Sequence, residues 1–222
     1  MSTTALLPFP LLPSLAGNAR EPLTSATAPA MQVLSDRALV ERAARGDADA
    51  FTTLYRRYER PVFGVLLRLA GGRRPLAEEW LQEAFTRVWL GAGTHDPARG
   101  EVRPWIYKIA LNTARSELSR KRHRTPHVSL DESGLDLPDE GAGERQVAAR
   151  LDDARRTEAV ALALRELPDF MREVIVLRCS RELSFAEIAE VTGAPQGTLK
   201  SRFHRAVAAL REVLGRTEGG GR

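Results

Sequence analysis

Apolar positions along the chain recur at steps of three and four, the spacing of one face of a helix. The first such pattern follows Ser35, a candidate N-cap, and predicts a helix over Ala38 to Ala44. Phe51, Leu54, Tyr55, Tyr58, Val62, Leu66 and Leu69 then describe one long helix, entering at Asp47 to Ala50 and ending at Gly71-Gly72. Such a helix cannot stand alone in water. Its partner is predicted over Pro75 to Leu90, with Trp80, Leu81, Ala84, Phe85 and Val88 on the apolar side and Glu78, Glu79, Gln82, Glu83 and Arg87 outside it. After the loop GAGTHDPARGEVR a fourth helix starts near Pro104, with Trp105, Ile106, Ile109, Ala110 and Thr113 inward, and its tail becomes the basic run Arg120 to Arg124.

The C-terminal stretch Leu183 to Leu214 carries a more specific pattern. Ser184 is a candidate N-cap, and Glu187 three residues on completes a capping box ahead of the stripe Phe185, Ile188, Ala189 and Val191. Gly193 can take the left-handed conformation of a tight inter-helix turn, and Pro195 cannot continue the first helix but suits the start of the next. In the second helix Leu199, Phe203, Ala206 and Leu210 fall on one arc that must face a core. The opposite arc presents Gly197, Ser201, His204 and Ala208, flanked by Lys200 and Arg205, groups able to meet phosphates or base edges in a major groove. The pattern fits a DNA-reading helix-turn-helix, and equally a helical hairpin with a solvated charged face.

Composition changes that picture in three ways. Ala, Leu, Arg and Glu abound and aromatics make up 6% of the 222 residues, which favours an all-helical chain. The formal charge is only +4, but it is unevenly spread. Arg99 to Arg124 holds Arg99, Arg103, Lys108, Arg115, Arg120, Lys121, Arg122 and Arg124 against Glu101 and Glu117, a local excess suited to a polyanion. Asp131, Glu132, Asp136, Asp139, Glu140 and Glu144 make the following segment acidic. Cys179, the sole cysteine, permits no intramolecular disulfide, fits a reducing cytoplasm and reads as a small apolar packing residue. The first thirty residues lack the basic start of a signal peptide and are interrupted by prolines, so they are expected to be disordered, and Met31 is an alternative start. No run is long enough to span a bilayer.

Catalysis fails on inventory. His123 and His127 straddle Pro126 without further ligands at metal spacing, and neither a glycine-rich phosphate loop nor a nucleophile motif is present. No enzyme activity, metal or cofactor is expected.

Three segments resemble the bacterial extracytoplasmic-function sigma factors of the sigma-70 family: AEEWLQEAFTRVWL at Ala77 to Leu90, DPARGEVRPWIYKIALNTARSELSRKR at Asp96 to Arg122, and LPDFMREVIVLRCSRELSFAEIAEVTGAPQGTLKSRFHRA at Leu167 to Ala206. The resemblance extends from about Leu34 to Leu214. It implies an all-α chain of two small helical domains, sigma-2 over 34–125 and sigma-4 over 150–215. They are joined by a flexible acidic linker at 126–149 and flanked by a disordered extension at 1–33 and a disordered tail at 216–222. It also implies a function: binding core RNA polymerase and directing initiation through the −10 and −35 promoter elements.

Residue by residue, the resemblance assigns Glu79, Gln82, Glu83 and Arg87 to docking on the β′ clamp helices, with sigma-4 on the β flap. The family usually has Asp where Glu79 stands and an aliphatic residue where Trp80 stands. The same acidic face can equally be a solvated one. The loop from Thr94 to Arg103 matches the −10 specificity loop. With the helix after it, it supplies Arg99, Arg103, Trp105, Lys108, Asn112, Arg115, Arg120 and Arg122; a short polar loop beside a basic helix suits capture of an extruded base. The spacing of Trp105 with Ile106 and Ile109 favours a core role over base stacking, and the cations at 120–124 suit backbone phosphates whatever the sequence. GTLKSRFHRA matches the −35 recognition helix, giving Thr198, Lys200, Ser201, Arg202, His204 and Arg205. Lys200 and Arg205 can each reach guanine or phosphate, His204 reads as a neutral contact, and Arg202 lies toward the flank. An anti-sigma factor is a further implied partner. The competing reading is a one-component regulator, binding operator DNA as a dimer through the same helix-turn-helix. A helical protein-binding adaptor is a third, and it leaves the recognition helix unexplained.

Overall fold

A computed structural model of the protein describes residues 33–98, 100–124, 159–181 and 183–219. Arg99, the acidic linker, residues 1–32 with Met31, and 220–222 lie outside the described residues. All regular structure among the described residues is helical: α1 (Asp36–Ala43), α2 (Ala48–Leu69), α3 (Arg74–Gly91), a 3-10 turn (Ala92–Thr94), α4 (Val102–Arg124), α5 (159–166), α6 (Asp169–Arg181), α7 (Phe185–Thr192) and α8 (Gln196–Gly219).

The helix starts are set locally. Ser35 Oγ accepts the Ala38 N–H at 3.3 Å. Asp47 caps α2, accepting from Asp49 N at 3.1 Å and Ala50 N at 3.0 Å, while Arg42 Nε donates to it at 2.7 Å. Burial pushes the Asp47 carboxyl up, but the Ala50 N–H and Arg42 outweigh it and hold the group below the usual carboxylate range. A depressed folded pKa means that this cap stabilises fully above the ordinary carboxylate value and fades only as pH falls through the lowered one. Asp36 then ties α1 to α2 by accepting from both Arg57 and Tyr58.

Helices α1 to α4 form the N-terminal half around Trp80, Phe85, Phe51 and Tyr55, all at most 2% exposed. Phe85 meets Tyr55 edge-on at 4.8 Å, and Phe51 meets Trp89 likewise at 5.0 Å. Helices α6 to α8 form the C-terminal half, with Leu199 and Ala206 of α8 fully buried. Arg172 anchors its entry by donating to the carbonyls of Leu164 at 2.6 Å, Arg165 at 2.9 Å and Leu167 at 2.8 Å, at the C-terminal end of α5.

The two halves are packed on each other. Helix α4 lies against α7, and α2 against α6, so that one apolar cluster runs through both halves. This widens the buried face of α4. Beyond Ile106, Ala110 and Thr113, it also buries Tyr107, Leu111 and Ala114, because α3 covers one side and the C-terminal half another. Val174, Ile175, Val176 and Leu177 are all buried in succession, which a helix achieves only when it is covered nearly all round. Polar contacts complete the seam. Arg115 donates to Glu173 from Nε at 2.7 Å and Nη2 at 2.6 Å, and Arg103 pairs with Glu187 at 3.5 Å. At the C-terminus of α2, Arg73 donates to Ala70 O at 2.9 Å and Arg165 of α5 to Gly71 O at 2.7 Å, two cations at the negative end of a helix dipole. Gly71 has φ +67°, and a Cβ there would run into the Arg165 side chain.

Two expectations are corrected. Helix α8 continues to Gly219, into the segment expected as a disordered tail, because Arg216 to Glu218 contain no breaker and the glycine run begins only at residue 219. Cys179 is exposed rather than packed, since Val174 to Leu177 fill the covered sides of α6.

Trp80 is completely buried, and its indole N–H has no hydrogen-bond partner among the described residues. Trp80→Ala is expected to cost about 3–5 kcal/mol through the cavity left. Trp80→Phe, which also removes the unpartnered donor, is expected to cost under about 1.5 kcal/mol. Urea denaturation of the two variants checks the difference.

Candidate nucleic-acid interface

The helix-turn-helix is built as its residues require. Ser184 Oγ accepts the Glu187 N–H at 3.1 Å and Glu187 Oε2 accepts the Ser184 N–H at 2.8 Å, a reciprocal cap at the start of α7. Gly193 closes α7 at φ +74°, and α8 begins straight after Pro195. Phe185 and Phe203 meet edge-on at 5.8 Å and lock the two helices. Lys200, Ser201, His204 and Arg205 then stand exposed along one face of α8, with Thr198 half-buried at its start. Arg202 turns aside: its guanidinium lies 5.3 Å from the Phe170 ring centre, so it stacks on an aromatic of α6.

Helix α4 carries a second polar face. Lys108, Asn112, Ser116, Ser119 and Arg120 are exposed at steps of three, four and one, a strip beside the buried positions. Arg120 leans back onto Glu117. Arg103 and Arg115 border the strip and are engaged by the carboxylates of α7 and α6; the Glu173 hydrogen bond, opposed by burial, raises the Arg115 pKa above its ordinary value. The side chain of Arg122 lies outside the described residues. In the first turn of α4, Trp105 is half-buried, meets the His95 ring edge-on at 4.9 Å, and rests over Gly91. It packs partly against the apolar core, as its spacing with Ile106 and Ile109 favours, with its ring edge against His95.

On α3, Glu79, Gln82 and Glu83 are exposed along one line that continues to Leu90, 73% exposed. Arg87 departs from this line. It pairs with Glu83 at 2.8 Å and donates to Thr113 Oγ1 of α4 at 2.7 Å, bridging the outer face of α3 to α4. The described residues contain no group of His, Cys, Asp and Glu able to hold a metal ion, and none of their helices is long and apolar enough to cross a membrane.

Two polar helix faces on one compact frame match a known arrangement. The family model of Sigma-70 region 2 matches residues 54–124, and that of Sigma-70, region 4 matches residues 163–212. The ECF RNA polymerase sigma-E factor of Haemophilus influenzae is 32% identical over 78% of this chain and 92% of its own length. The chain belongs to the extracytoplasmic-function sigma factors of the sigma-70 family. The RNA polymerase sigma-H factor of Pseudomonas aeruginosa is 31% identical over 81% of this sigma factor and 93% of its own length. A solved structure of CnrH in complex with the cytosolic domain of CnrY aligns with a TM-score of 0.60 at 27% identity, covering 82% of this chain and 97% of that one. The sigma factor RpoE of Bartonella quintana, solved with the anti-sigma factor NepR, shares the fold at a TM-score of 0.59 and 21% identity, covering 74% of this chain and 96% of that one.

This is an alternative sigma factor that directs transcription initiation, all-helical, with a region-2 and a region-4 half. The one-component regulator is not favoured, because the region-2 match gives the N-terminal half its own part in initiation. Sequence reading passed over Glu173, Arg165 and His95. The first two act across the seam, and their signal was the unbroken apolar run Val174 to Leu177, too wide for one small domain to cover.

Burial, reinforced by Arg37 and opposed by Asp96 and Glu101, lowers the His95 pKa below its usual value. In a nuclear magnetic resonance titration His95 is therefore expected to protonate with a midpoint below 6.5, moving back toward 6.5 in Trp105→Ala. A midpoint at or above 6.5 in the parent protein contradicts the packed ring pair.

Proposed function

We propose that the three exposed faces divide the work of initiation: the outer line of α3 docks the polymerase clamp, the loop before α4 and its polar strip open and hold the −10 element, and α8 reads the −35 element. The observation that carries this reading is the exposure of Lys200, Ser201, His204 and Arg205 on one face of α8, set by a capped helix-turn-helix. An exposed face that the fold does not use internally is available to a groove. Lys200 and Arg205 reach base edges or phosphates, and Ser201 and His204 add short polar contacts between them. Across α4, Lys108, Asn112 and Arg120 supply phosphate and base contacts, while the Trp105–His95 pair walls a site for an unstacked base. Arg99 and Arg122 join this set as cations of the same segment.

Glu79, Gln82 and Glu83 form a negative docking line, and Leu90 gives it an apolar end. Arg87 supports that line through Glu83 rather than facing outward. The domain limits follow the same division, with sigma-2 over 34–125 and sigma-4 over 150–215. The protein acts in the cytoplasm as a binding factor without catalysis of its own, and an anti-sigma factor holds it in reserve, as NepR pairs with the Bartonella protein.

Reconstitution with core polymerase on genomic fragments tests the whole reading; failure to co-purify with core or to start transcription from any fragment contradicts it. Within that assay Lys200→Ala or Arg205→Ala is expected to weaken −35-dependent initiation roughly 5- to 150-fold, the equivalent of about 1–3 kcal/mol per base contact, with core affinity unchanged. Glu83→Lys is expected to do the reverse, weakening core affinity at least about tenfold by opposing a complementary surface. Equal loss of both activities in all three variants contradicts the assignment.

A further inference from the structure

Two guanidiniums stand together at the C-terminal end of α2 without a carboxylate beside them. Arg73 donates from Nε to Ala70 O at 2.9 Å, and Arg165 of α5 donates from Nε to the next carbonyl, Gly71 O, at 2.7 Å, with Nη2 on the same oxygen. Consecutive residues lie about 3.8 Å apart along the chain, so the two cations are held side by side. Gly71 keeps the place open, since a Cβ at this residue would run into the Arg165 side chain. The acids nearest in sequence are engaged elsewhere. Glu78 pairs with Arg74 at 2.9 Å, Asp169 with Arg172 at 3.3 Å and Glu166 with Arg216 at 3.8 Å, so neither Arg73 nor Arg165 has a carboxylate partner among the described residues.

Capping a helix accounts for only part of this arrangement. The carbonyl end of a helix carries the equivalent of about half a negative charge, which two full positive charges outweigh, and like charges this close repel. The Arg73 pKa registers the crowding: burial, and behind it the Arg165 charge, lowers it below its ordinary value. An anion would relieve it. Each guanidinium uses Nε on a carbonyl, which leaves both Nη groups of Arg73 and Nη1 of Arg165 without a hydrogen-bond partner among the described residues. Both residues are exposed, so a ligand from solvent can reach those donors.

The donor set also selects the kind of anion. A carboxylate is planar and is satisfied by one guanidinium fork, whereas a phosphoryl group offers oxygens on several sides and can be held by two forks at once. Cations that flank a single point suit a small ligand of high charge, while a nucleic-acid backbone is matched by cations spread along a line.

We propose that Arg73 and Arg165 form a binding site for a small phosphorylated anion, of the pyrophosphate or nucleoside-polyphosphate class, seated beside Gly71 between the end of α2 and α5. None of these residues belongs to the three faces assigned to initiation, so the site does not depend on that division of labour. The anion takes one guanidinium from each of two helices, and its occupancy therefore holds α5 on α2 more firmly than the two carbonyls alone.

The test titrates inorganic pyrophosphate into the full chain in magnesium-free buffer at constant ionic strength. Calorimetry is expected to show one site that saturates below about 1 mM. Arg73→Gln and Arg165→Gln are each expected to weaken it at least about tenfold, the loss of one charge-assisted contact. Gly71→Ala keeps both charges but displaces Arg165, and it is expected to weaken binding by a similar factor. Arg68→Gln is expected to stay within about twofold, because that guanidinium turns back to Gly64 O at 2.8 Å and a charge set apart from the site is screened. In magnetic resonance spectra of the parent chain, the Nε–H signals of Arg73 and Arg165 are expected to shift with pyrophosphate and not with acetate at equal ionic strength. That measurement decides the case should a variant lose its helical circular dichroism. Unshifted signals, parental affinity in a folded Arg165→Gln or Gly71→Ala chain, or an equal loss in Arg68→Gln overturns the proposal. A mixed-sequence single-stranded 20-mer that shifts the same two signals at a lower phosphate concentration than pyrophosphate gives the site to nucleic acid, and overturns it as well.

Discussion

Val174 to Leu177 place four apolar side chains in succession on one helix, and at 100° per residue they cannot share a single face. Each contributes about 1.5–3 kcal/mol when fully buried, so leaving any one side of α6 in water is costly. Helices α7 and α8 cover part of that surface, and α2 of the other half covers the rest. Helix α4 meets the same demand from its own side, with Tyr107, Leu111 and Ala114 buried beyond the arc that α3 can reach. The shared core is thus a consequence of two helices that are each too apolar for their own half. The ion pairs of the seam come second and select the register in which the halves meet, because Arg115 and Glu173 lie at its edge and close only in one alignment.

That order of effects explains why the fold was legible one half at a time. The helix starts at Ser35, Asp47 and Ser184 are local chemistry, a side-chain oxygen meeting an N–H two or three residues on, and they stand where the sequence puts them. The turn at Gly193 is equally local, since only a residue tolerant of positive φ ends α7 there. The exposed set on α8 followed from geometry once Leu199 and Ala206 were placed inside. Contacts between the halves were not legible, because Arg115 and Glu173 are separated by 58 positions and neither carries a local mark. Read alone, Arg115 is one cation in a basic segment, and nothing in its neighbours says that a carboxylate will hold it. The second partner of Arg87 was hidden for a related reason: a helical wheel sets it beside Glu83, but its length lets it reach over to Thr113.

Charge is used economically in this chain. Glu187 caps α7 with one oxygen and holds Arg103 with the other, so the start of the helix-turn-helix and the start of α4 are joined through a single carboxylate. Arg165 closes the C-terminus of α2 from the opposite half, at a glycine where any side chain would displace it. These contacts are partly exposed, and each alone is worth little in salt water. Together they make a boundary that is apolar in its middle and ionic at its rim, the composition of an interface that can be exchanged for another partner.

The central claim is that both halves share one core in the free protein. Native-state hydrogen exchange tests it most directly, through the amides of α6 between Val174 and Leu177 and those of α4 between Ile106 and Ala114. The shared core predicts that the two sets open together in the free chain, with one common free energy that moves equally for both under mild denaturant. Two separate opening energies, with α6 exchanging while α4 stays protected, would contradict it.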